Sequence, residues 1–476
     1  MRRWIWAAGM AVAMSAATAM AEEEYVTTPE DQTGLALTIY AQGLGLVKDS
    51  RELALIEGEQ AIAFEGVSAG LIPSSALLRG GDGVSLLEQN LEYGVLSPQT
   101  LLERSVGRTV RVARVHPTTG EDLIEEAEVL AAENGVVLKI GDRIEAGVPG
   151  RLIFDSVPQD LRPKPTLVMR VQSAAAASSA LELSYLTEGL TWRADYAAEL
   201  APDGESLDLS GWASLGNTTN TDFTKAEVQL IAGDVRREAA KSGARMLEAA
   251  PAQAVAAPMA MVADMAEEAV GDVHLYTLPR TVTLKNRQTK QIALMSSSGV
   301  PVAREYLYEH WLPPGKQRAF EPPAEHPHVR LSFENAKSSG LGEALPGGLV
   351  RVYERDSRGR IQFTGERSIR HTPEGDTVRL ALGQAFDLTI RNLQTDHRQQ
   401  ALPQRAFESA HEVTIENAKD EAVTVTVVEH FPGDWTILEE SHLHEKSAAG
   451  QARWQIPAPA KGTATLAFRV QVSRPR

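Results

Sequence analysis

Residues 181–235 read LELSYLTEGLTWRADYAAELAPDGESLDLSGWASLGNTTNTDFTKAEVQLIAGDV. From Leu207 to Leu215 every second residue is small or apolar, and polar residues and Trp212 stand between them. The same alternation recurs from position 226 to position 232. A period of two places one set of side chains on a buried face and the other set toward solvent, so this stretch predicts β-strands.

Turn residues separate these strands. Pro202-Asp203-Gly204 precedes Leu207, and Asn217-Thr218-Thr219-Asn220 precedes Phe223. Such residues favour tight turns, so the stretch divides into four strands. Large aromatic residues supply the apolar area that a sandwich core needs. They are Tyr185, Trp192, Tyr196 and Trp212.

The composition indicates a globular chain of several domains. With 476 residues, 43% hydrophobic and 23% charged, the chain is too long for one core, and we expect about three domains. The net charge of −16 without a basic run excludes nucleic acid as a natural partner. The absence of cysteine excludes disulfides, thiolate metal sites and a cysteine-linked lipid anchor.

The first residues are typical of a secretory leader. Arg2-Arg3 is followed by an apolar run from Trp4 to Ala16 and by the small-x-small signal Ala19-Met20-Ala21. We therefore expect cleavage after Ala21. No later run reaches the ~18 apolar residues that span a bilayer. The sequence thus predicts an exported protein, soluble in the periplasm, with secretion from the cell as the alternative.

The order of strand patterns and breakers predicts an all-β fold with minor α content, built from several antiparallel β-sandwich or barrel modules. Ser97-Pro98 has the form of a capped helix start, and three prolines between Pro158 and Pro165 indicate a hinge. The predicted divisions are a leader (1–21), an N-terminal antiparallel β-domain (22–95), a short helix with a small β-barrel-like module (96–160), a central β-sandwich (161–383) and a C-terminal immunoglobulin-like β-sandwich (384–476).

Three local predictions concern connections. The Ala/Met-rich residues 236–270 are interpreted as a flexible insertion, with at most one short helix. Residues 282–284 are expected to form a hairpin with 292–294 around Lys285-Asn286-Arg287-Gln288. Residues 411–415 and 423–428 are expected to form a second, long hairpin.

Several segments together resemble one family. They are LTEGLTWRADY (186–196), LIAGDV (230–235), LPGGLVRVY (345–353), GQAFD (383–387) and EVTIEN (412–417). The chain is similar to a conserved bacterial domain-of-unknown-function family that includes mucoidy-inhibitor-A-like proteins, in a shorter form without their coiled-coil region. The resemblance implies a β-sandwich envelope protein without assigned catalytic residues. Its motif residues here are Trp192, Arg193, Asp195, Tyr196, Asp234, Tyr353, Phe386, Asp387 and Asn417.

Metal binding has weak candidates. The pairs His326-Pro327-His328 and His442-Leu443-His444 place two imidazoles at i and i+2, which share one face of a strand. The insertion adds thioethers, which bind Cu(I). The candidates are His442, His444, Met246, Met259, Met261 and Met265. Two imidazoles are too few for a site, so we expect solvated histidines, an Ala/Met spacer and no metal.

Catalysis has no motif in this sequence. The signatures G-x-S-x-G, H-E-x-x-H and the phosphate-binding loop are absent, and so is the dinucleotide-binding fingerprint, so we expect neither enzymatic activity nor a cofactor. A pair of carboxylates can hydrolyse glycosidic bonds when the two lie close together. The candidates for such a pair are Asp195, Asp222, Asp234, Asp356 and Asp387.

These observations favour a non-catalytic binding or adaptor protein of the cell envelope, with a protein or a glycan as its partner. The first alternative is a hydrolase that acts on envelope polysaccharide or peptide through loop carboxylates. The second alternative is a copper-handling protein that uses the methionines and the His-x-His pairs.

Overall fold

A computed structural model describes residues 24–473 except 82, 93, 95, 117, 134, 159–160, 234, 236–264, 272, 314, 316–322 and 400–405. Strands make up 66% of the structure and helices 4%, which confirms the predicted all-β class. The predicted leader lies outside the described residues. Among the described residues, no helix combines the length and the apolar character needed to cross a bilayer.

The strands before residue 160 belong to three sheets. They are β1 (Tyr25–Thr27), β2 (Gln32–Tyr40), β3 (Leu44–Leu55), β4 (Gly58–Glu65), β5 (Leu77–Arg79), β6 (Val84–Glu92), β7 (Thr109–Val115), β8 (Asp122–Ala131), β9 (Val137–Ile140), β10 (Arg143–Ala146) and β11 (Arg151–Ile153). Short 3-10 helices cover Pro29–Asp31 and Pro73–Ser75. The helix α1 (Pro98–Glu103) begins as predicted, because the Ser97 hydroxyl accepts a hydrogen bond from the Thr100 N–H at 3.1 Å.

The strands of the middle region are divided among four sheets. They are β12 (Thr166–Ser173), β13 (Ala177–Glu188), β14 (Leu190–Leu200), β15 (Ser206–Asn217), β16 (Phe223–Ala232), β17 (Ala266–Val270), β18 (Val273–Thr277), β19 (Val282–Leu284), β20 (Gln288–Pro301), β21 (Ala303–Trp311), β22 (His328–Glu334), β23 (Gly348–Arg355), β24 (Ile361–Ile369) and β25 (Thr377–Gln384). A 3-10 helix covers Lys337–Ser339.

The last strands complete the C-terminal sandwich. They are β26 (Leu388–Gln399), β27 (Ala406–Asn417), β28 (Val423–His430), β29 (Asp434–Glu440), β30 (Glu445–Ala448), β31 (Gln451–Ala458) and β32 (Gly462–Ser473). Two sheets face each other here, in the orders β25-β22-β21-β28-β31-β30 and β26-β27-β32-β29. Trp454, Ile415 and Val470 are buried between them. This agrees with the predicted sandwich, although β21, β22 and β25 join it from before residue 384.

The predicted N-terminal and central regions share sheets. The N-terminal sheet has the order β1-β4-β12-β6 and packs on an eight-stranded sheet, β17-β18-β16-β2-β3-β13-β5, in which β19 also pairs with β16. All twelve residues of β13 pair with β3, and β16 runs parallel to β2. The prolines near residue 160 therefore do not separate independent sheets. A central five-stranded sheet, β20-β15-β14-β23-β24, covers the other part of the same core.

The small module is an open sheet with the order β10-β9-β8-β7-β11. Its edge strands β10 and β11 do not pair with each other among the described residues, so the predicted barrel-like closure is wrong. Among the described residues β10 pairs only with β9, and β11 pairs only with β7.

Both predicted hairpins are wrong, because the two strands of each belong to different sheets. β19 pairs with β16 while β20 pairs with β15, and β27 and β28 lie in the two facing sheets of the C-terminal sandwich. A buried asparagine holds the corner after β27. The Asn417 amide donates to the carbonyls of Glu421, Ala458 and Pro459 at 2.9–3.2 Å and accepts from the Lys419 N–H at 2.9 Å.

The end of the predicted insertion is also corrected. Residues 236–264 lie outside the described residues, but 266–270 form β17, which pairs antiparallel with β18. Gly271 adopts a φ of 63° at the connection and allows the chain to fold straight back. The insertion therefore ends in a strand.

Candidate functional site

The outer face of the central five-stranded sheet brings together residues from distant parts of the chain. In β14, Trp192 and Tyr196 point into the core, so the alternating residues Arg193 and Asp195 point outward. The strand registers place three further polar residues on that face. We call Arg193, Asp195, Ser214, Arg351 and Glu366 the arginine–carboxylate face.

A continuous row of polar contacts crosses all five strands of this sheet. The Gln291 amide of β20 donates to the Ser214 hydroxyl at 3.1 Å, and that hydroxyl donates to Asp195 Oδ2 at 2.6 Å. Arg193 Nε donates to the same oxygen at 3.1 Å. On the other side, Arg351 lies 3.6 Å from Asp195 Oδ1 and 3.2 Å from Glu366. These contacts restrict the orientations that the side chains of the row can adopt.

Asp195 is the centre of this row. Its residue is only 4% exposed although it lies on an outer face, because neighbouring side chains surround it. The carboxylate is held mainly through Oδ2, and Oδ1 is buried without a hydrogen-bond partner among the described residues. Two guanidinium groups and two carboxylates balance in charge across the row. The centre of the face is therefore polar but electrically neutral.

Aromatic rings lie beside the polar row. Trp212 lies opposite Asp195 in the register and is half-buried. Tyr353, two positions after Arg351 in β23, and Phe363 are register partners with ring centroids 5.9 Å apart, and Phe363 is 57% exposed. Rings next to fixed donors and acceptors supply both stacking surfaces and hydrogen bonds. This combination is suited to binding.

The predicted motif residues divide between core and surface. The Trp192 indole donates to the Ile231 carbonyl at 2.9 Å, and the Tyr196 hydroxyl donates to the Pro346 carbonyl at 2.8 Å. Burial raises the pKa of Tyr196 well above its usual range. These two residues and Asn417 are structural. Phe386 is 87% exposed at a different surface.

The four carboxylate candidates that the structure describes lie on different elements of the fold. Asp222 accepts from the Asn286 N–H at 2.7 Å, and Asp356 accepts from two backbone N–H groups and the Arg360 side chain within its own turn. Asp387 lies between β25 and β26. Asp195 has its own partners on β14 and β15. Asp234 lies outside the described residues.

The metal candidates do not converge either. His444 Nδ1 lies 2.9 Å from Glu440, while His442 lies next to Ser441. His326 faces the carbonyls of Ala385 and Leu388, away from a shared position with His328. Met265 is buried, and Met246, Met259 and Met261 lie outside the described residues. Within the described part of the chain, no cluster of three His, Asp or Glu side chains is arranged to hold a metal ion.

A buried polar cluster inside the C-terminal sandwich was missed by the sequence reasoning. His310 Nδ1 lies 2.7 Å from Glu429, whose side chain is fully buried. His411 lies between Asn392 and Ser409, at 3.0 and 2.8 Å. The alternation of inward and outward residues along β27 contains a signal for this cluster, because His411 continues the inward positions 413 and 415. Glu429 likewise continues the inward positions 425 and 427.

Burial shifts the pKa values of this cluster in opposite directions. Desolvation raises the pKa of Glu429 to about 7, although the contact with His310 lowers it. Burial opposes protonation of His310, but the hydrogen bond and charge of Glu429 outweigh it and raise the pKa of His310. Burial, followed by the nearby His310 and His397, lowers the pKa of His411 to about 3. Ser409 and His411 are both buried, with 0% and 2% of their surfaces exposed.

Comparison with protein families gives one match. The model of a family described as a domain of unknown function, DUF4139, matches residues 181–476. The matched region contains all five residues of the arginine–carboxylate face. None of the curated proteins compared matches the chain.

Proposed function

The chain belongs to the domain-of-unknown-function family DUF4139, and we propose that it is a non-catalytic binding protein of the bacterial cell envelope. We propose that the arginine–carboxylate face is its binding site and that the partner is a glycan. The observation that carries this proposal is the row of fixed polar groups beside the rings of Trp212, Tyr353 and Phe363.

The chemistry of the face matches a sugar better than a charged ligand. A sugar ring has an apolar C–H face, which packs on aromatic rings, and hydroxyl groups, which donate and accept hydrogen bonds. The guanidinium, carboxylate, amide and hydroxyl groups of the row offer both roles in a fixed plane. Because the charges of the row balance, the face has no net attraction for an ion.

The absence of catalysis is part of the proposal. It is supported by the separate local partners of Asp195, Asp222 and Asp356, which leave no acid and base facing a common substrate position. Two features of the sequence support location in the periplasm after removal of residues 1–21. They are the apolar run from Trp4 to Ala16 and the small-x-small signal after it. The shared motif segments support placement among the shorter mucoidy-inhibitor-A-like proteins.

The test measures binding of the purified chain, from residue 22 onward, to polysaccharide. Peptidoglycan sacculi and delipidated lipopolysaccharide are sedimented or titrated with the wild-type protein and with the double variant Tyr353→Ala/Phe363→Ala. Two stacking contacts of about 1 kcal/mol each predict a loss of affinity of roughly 30-fold. Leu443→Ala is the matched control, because Leu443 is 90% exposed on another surface.

The outcomes distinguish the possibilities. Binding that is lost in the double variant and kept in Leu443→Ala supports the proposal. Equal binding by all three proteins places the glycan site elsewhere. If neither polysaccharide binds the wild type, the glycan assignment is wrong. Release of soluble sugar from either material would instead show an enzyme.

A further inference from the structure

The N-terminal sheet ends in a free edge. β6 is the last strand in the order β1-β4-β12-β6, and it has nine residues without proline or lysine. Its outer row of backbone N–H and C=O groups has no strand partner among the described residues. Unpaired edges of this kind are surfaces on which an additional strand can pair.

Apolar side chains line this edge. A β-bulge between Arg170 and Val171 of β12 leaves Leu87 without an opposite residue, and Leu87 is 53% exposed. Leu86 next to it and Leu77 of β5, at the neighbouring sheet edge, are also exposed. Together with the free backbone groups, they offer an added strand both pairing and apolar contact.

The charged residues near β6 indicate the charge of the partner. Arg170 lies 3.2 Å from Glu59 and 4.0 Å from Glu88, so one arginine faces two carboxylates. Arg162 repeats this arrangement, at 2.6 Å from both Glu24 and Glu92. Within these two groups, four carboxylates share two arginines, and Glu88 and Glu92 belong to β6 itself. A second copy of β6 would bring further carboxylates to this edge, whereas a basic segment would balance the excess.

We propose that β6 binds an extended, basic peptide segment of a partner protein as an added strand. The segment alternates apolar residues, which contact Leu86 and Leu87, with lysine or arginine, which face the outer carboxylates. This surface is separate from the arginine–carboxylate face and does not depend on glycan binding.

The test uses a synthetic nine-residue peptide, KVKVKVKVK, labelled for fluorescence anisotropy. A peptide of the same sequence with N-methyl groups on alternate residues keeps the charge and removes the backbone donors, and EVEVEVEVE reverses the charge. We expect binding of the first peptide only, weakened by salt. We also expect at least a tenfold loss of affinity in Leu87→Lys/Glu88→Lys.

Leu123→Lys is the control variant, because Leu123 is an exposed residue of β8 in the small module. It should bind the basic peptide like the wild type. Equal binding of the N-methylated peptide would show attraction by charge alone and overturn strand addition. So would unchanged affinity in Leu87→Lys/Glu88→Lys, or failure of the wild type to bind. A concentration-dependent dimer that Leu87→Lys/Glu88→Lys abolishes would show that the occupant is a second copy.

Discussion

Glu429 makes the stability of the C-terminal sandwich depend on pH. Its pKa rises from 4.5 to about 7 on folding because its side chain is fully buried. A raised pKa means that the folded state holds the proton more strongly than the unfolded state. The resulting stability is complete below pH 4.5 and is lost as the pH rises through about 7. The pKa of His310 is also raised, so its contribution has the same sign.

The size of this loss of stability follows from the difference between the pKa values of Glu429 in the unfolded and folded states. At about 1.4 kcal/mol for each tenfold change in proton affinity, the full loss is about 3 kcal/mol, and most of it falls between pH 5 and pH 8. Glu429→Gln keeps the shape and a hydrogen bond to His310 but removes the ionisation. His411 acts in the opposite direction, because its pKa of about 3 lowers stability as the pH falls below 6.5. Both proteins share that contribution, so it cancels in their difference.

The assay is urea unfolding at pH 5, 6, 7 and 8, followed by tryptophan fluorescence, which includes the signal of the buried Trp454. Relative to the variant, the wild type should lose about 2–3 kcal/mol between pH 5 and pH 8. Glu416→Gln is the control, because Glu416 forms an exposed ion pair with Arg391 on the same sandwich. Parallel curves for the wild type and Glu429→Gln would refute the reasoning.

Three further predictions concern the architecture. Asn417→Ala should lower the free energy of unfolding by about 3 kcal/mol in urea denaturation, because it leaves buried carbonyls unpaired; an effect below 1 kcal/mol would contradict the corner assignment. Gly348→Ala should cost about 1–3 kcal/mol on the same measurement, because the added methyl group would overlap the Ala194 carbonyl where β23 meets β14; unchanged stability would show that the strands can separate. A fragment of residues 181–476 should keep the unfolding transition of the C-terminal sandwich, whose core lies within it, but lose the transition of the central core, because it lacks β3, which pairs with β13; circular dichroism that showed both transitions in the fragment would contradict this.

The elements that sequence predicted well are those with local signals. The alternation from Leu207 to Leu215 became β15, and the Ser97-Pro98 pair became the start of α1. The two hairpins failed because strand patterns reveal where strands lie but not which sheet each one joins. The Asn417 corner and a hairpin turn contain the same residue types, and only the buried hydrogen bonds of Asn417 distinguish them.

The sequence predicts only part of the candidate face, for a similar reason. Arg193 and Asp195 belong to one motif segment, but their proximity to Arg351 and Glu366 depends on the parallel pairing of β14 with β23. More than 150 positions separate Asp195 from Arg351 in the chain, and no local pattern encodes that pairing. The positions around Glu429 and His411 are apolar. Their pattern therefore predicts a hydrophobic core there and does not predict a polar cluster.

The eight-stranded sheet also determines when its strands can pair during folding. β2 and β3 leave the ribosome early, but their partners β13 and β16 follow well over 100 residues later. Pairings between such distant segments form slowly, because the loop must close before the contacts compensate for its entropy. Until residue 232 is available, the early strands expose unpaired edges that invite association with other chains. We therefore expect the yield of refolding to rise as the chain is diluted, because dilution slows association between incompletely paired chains.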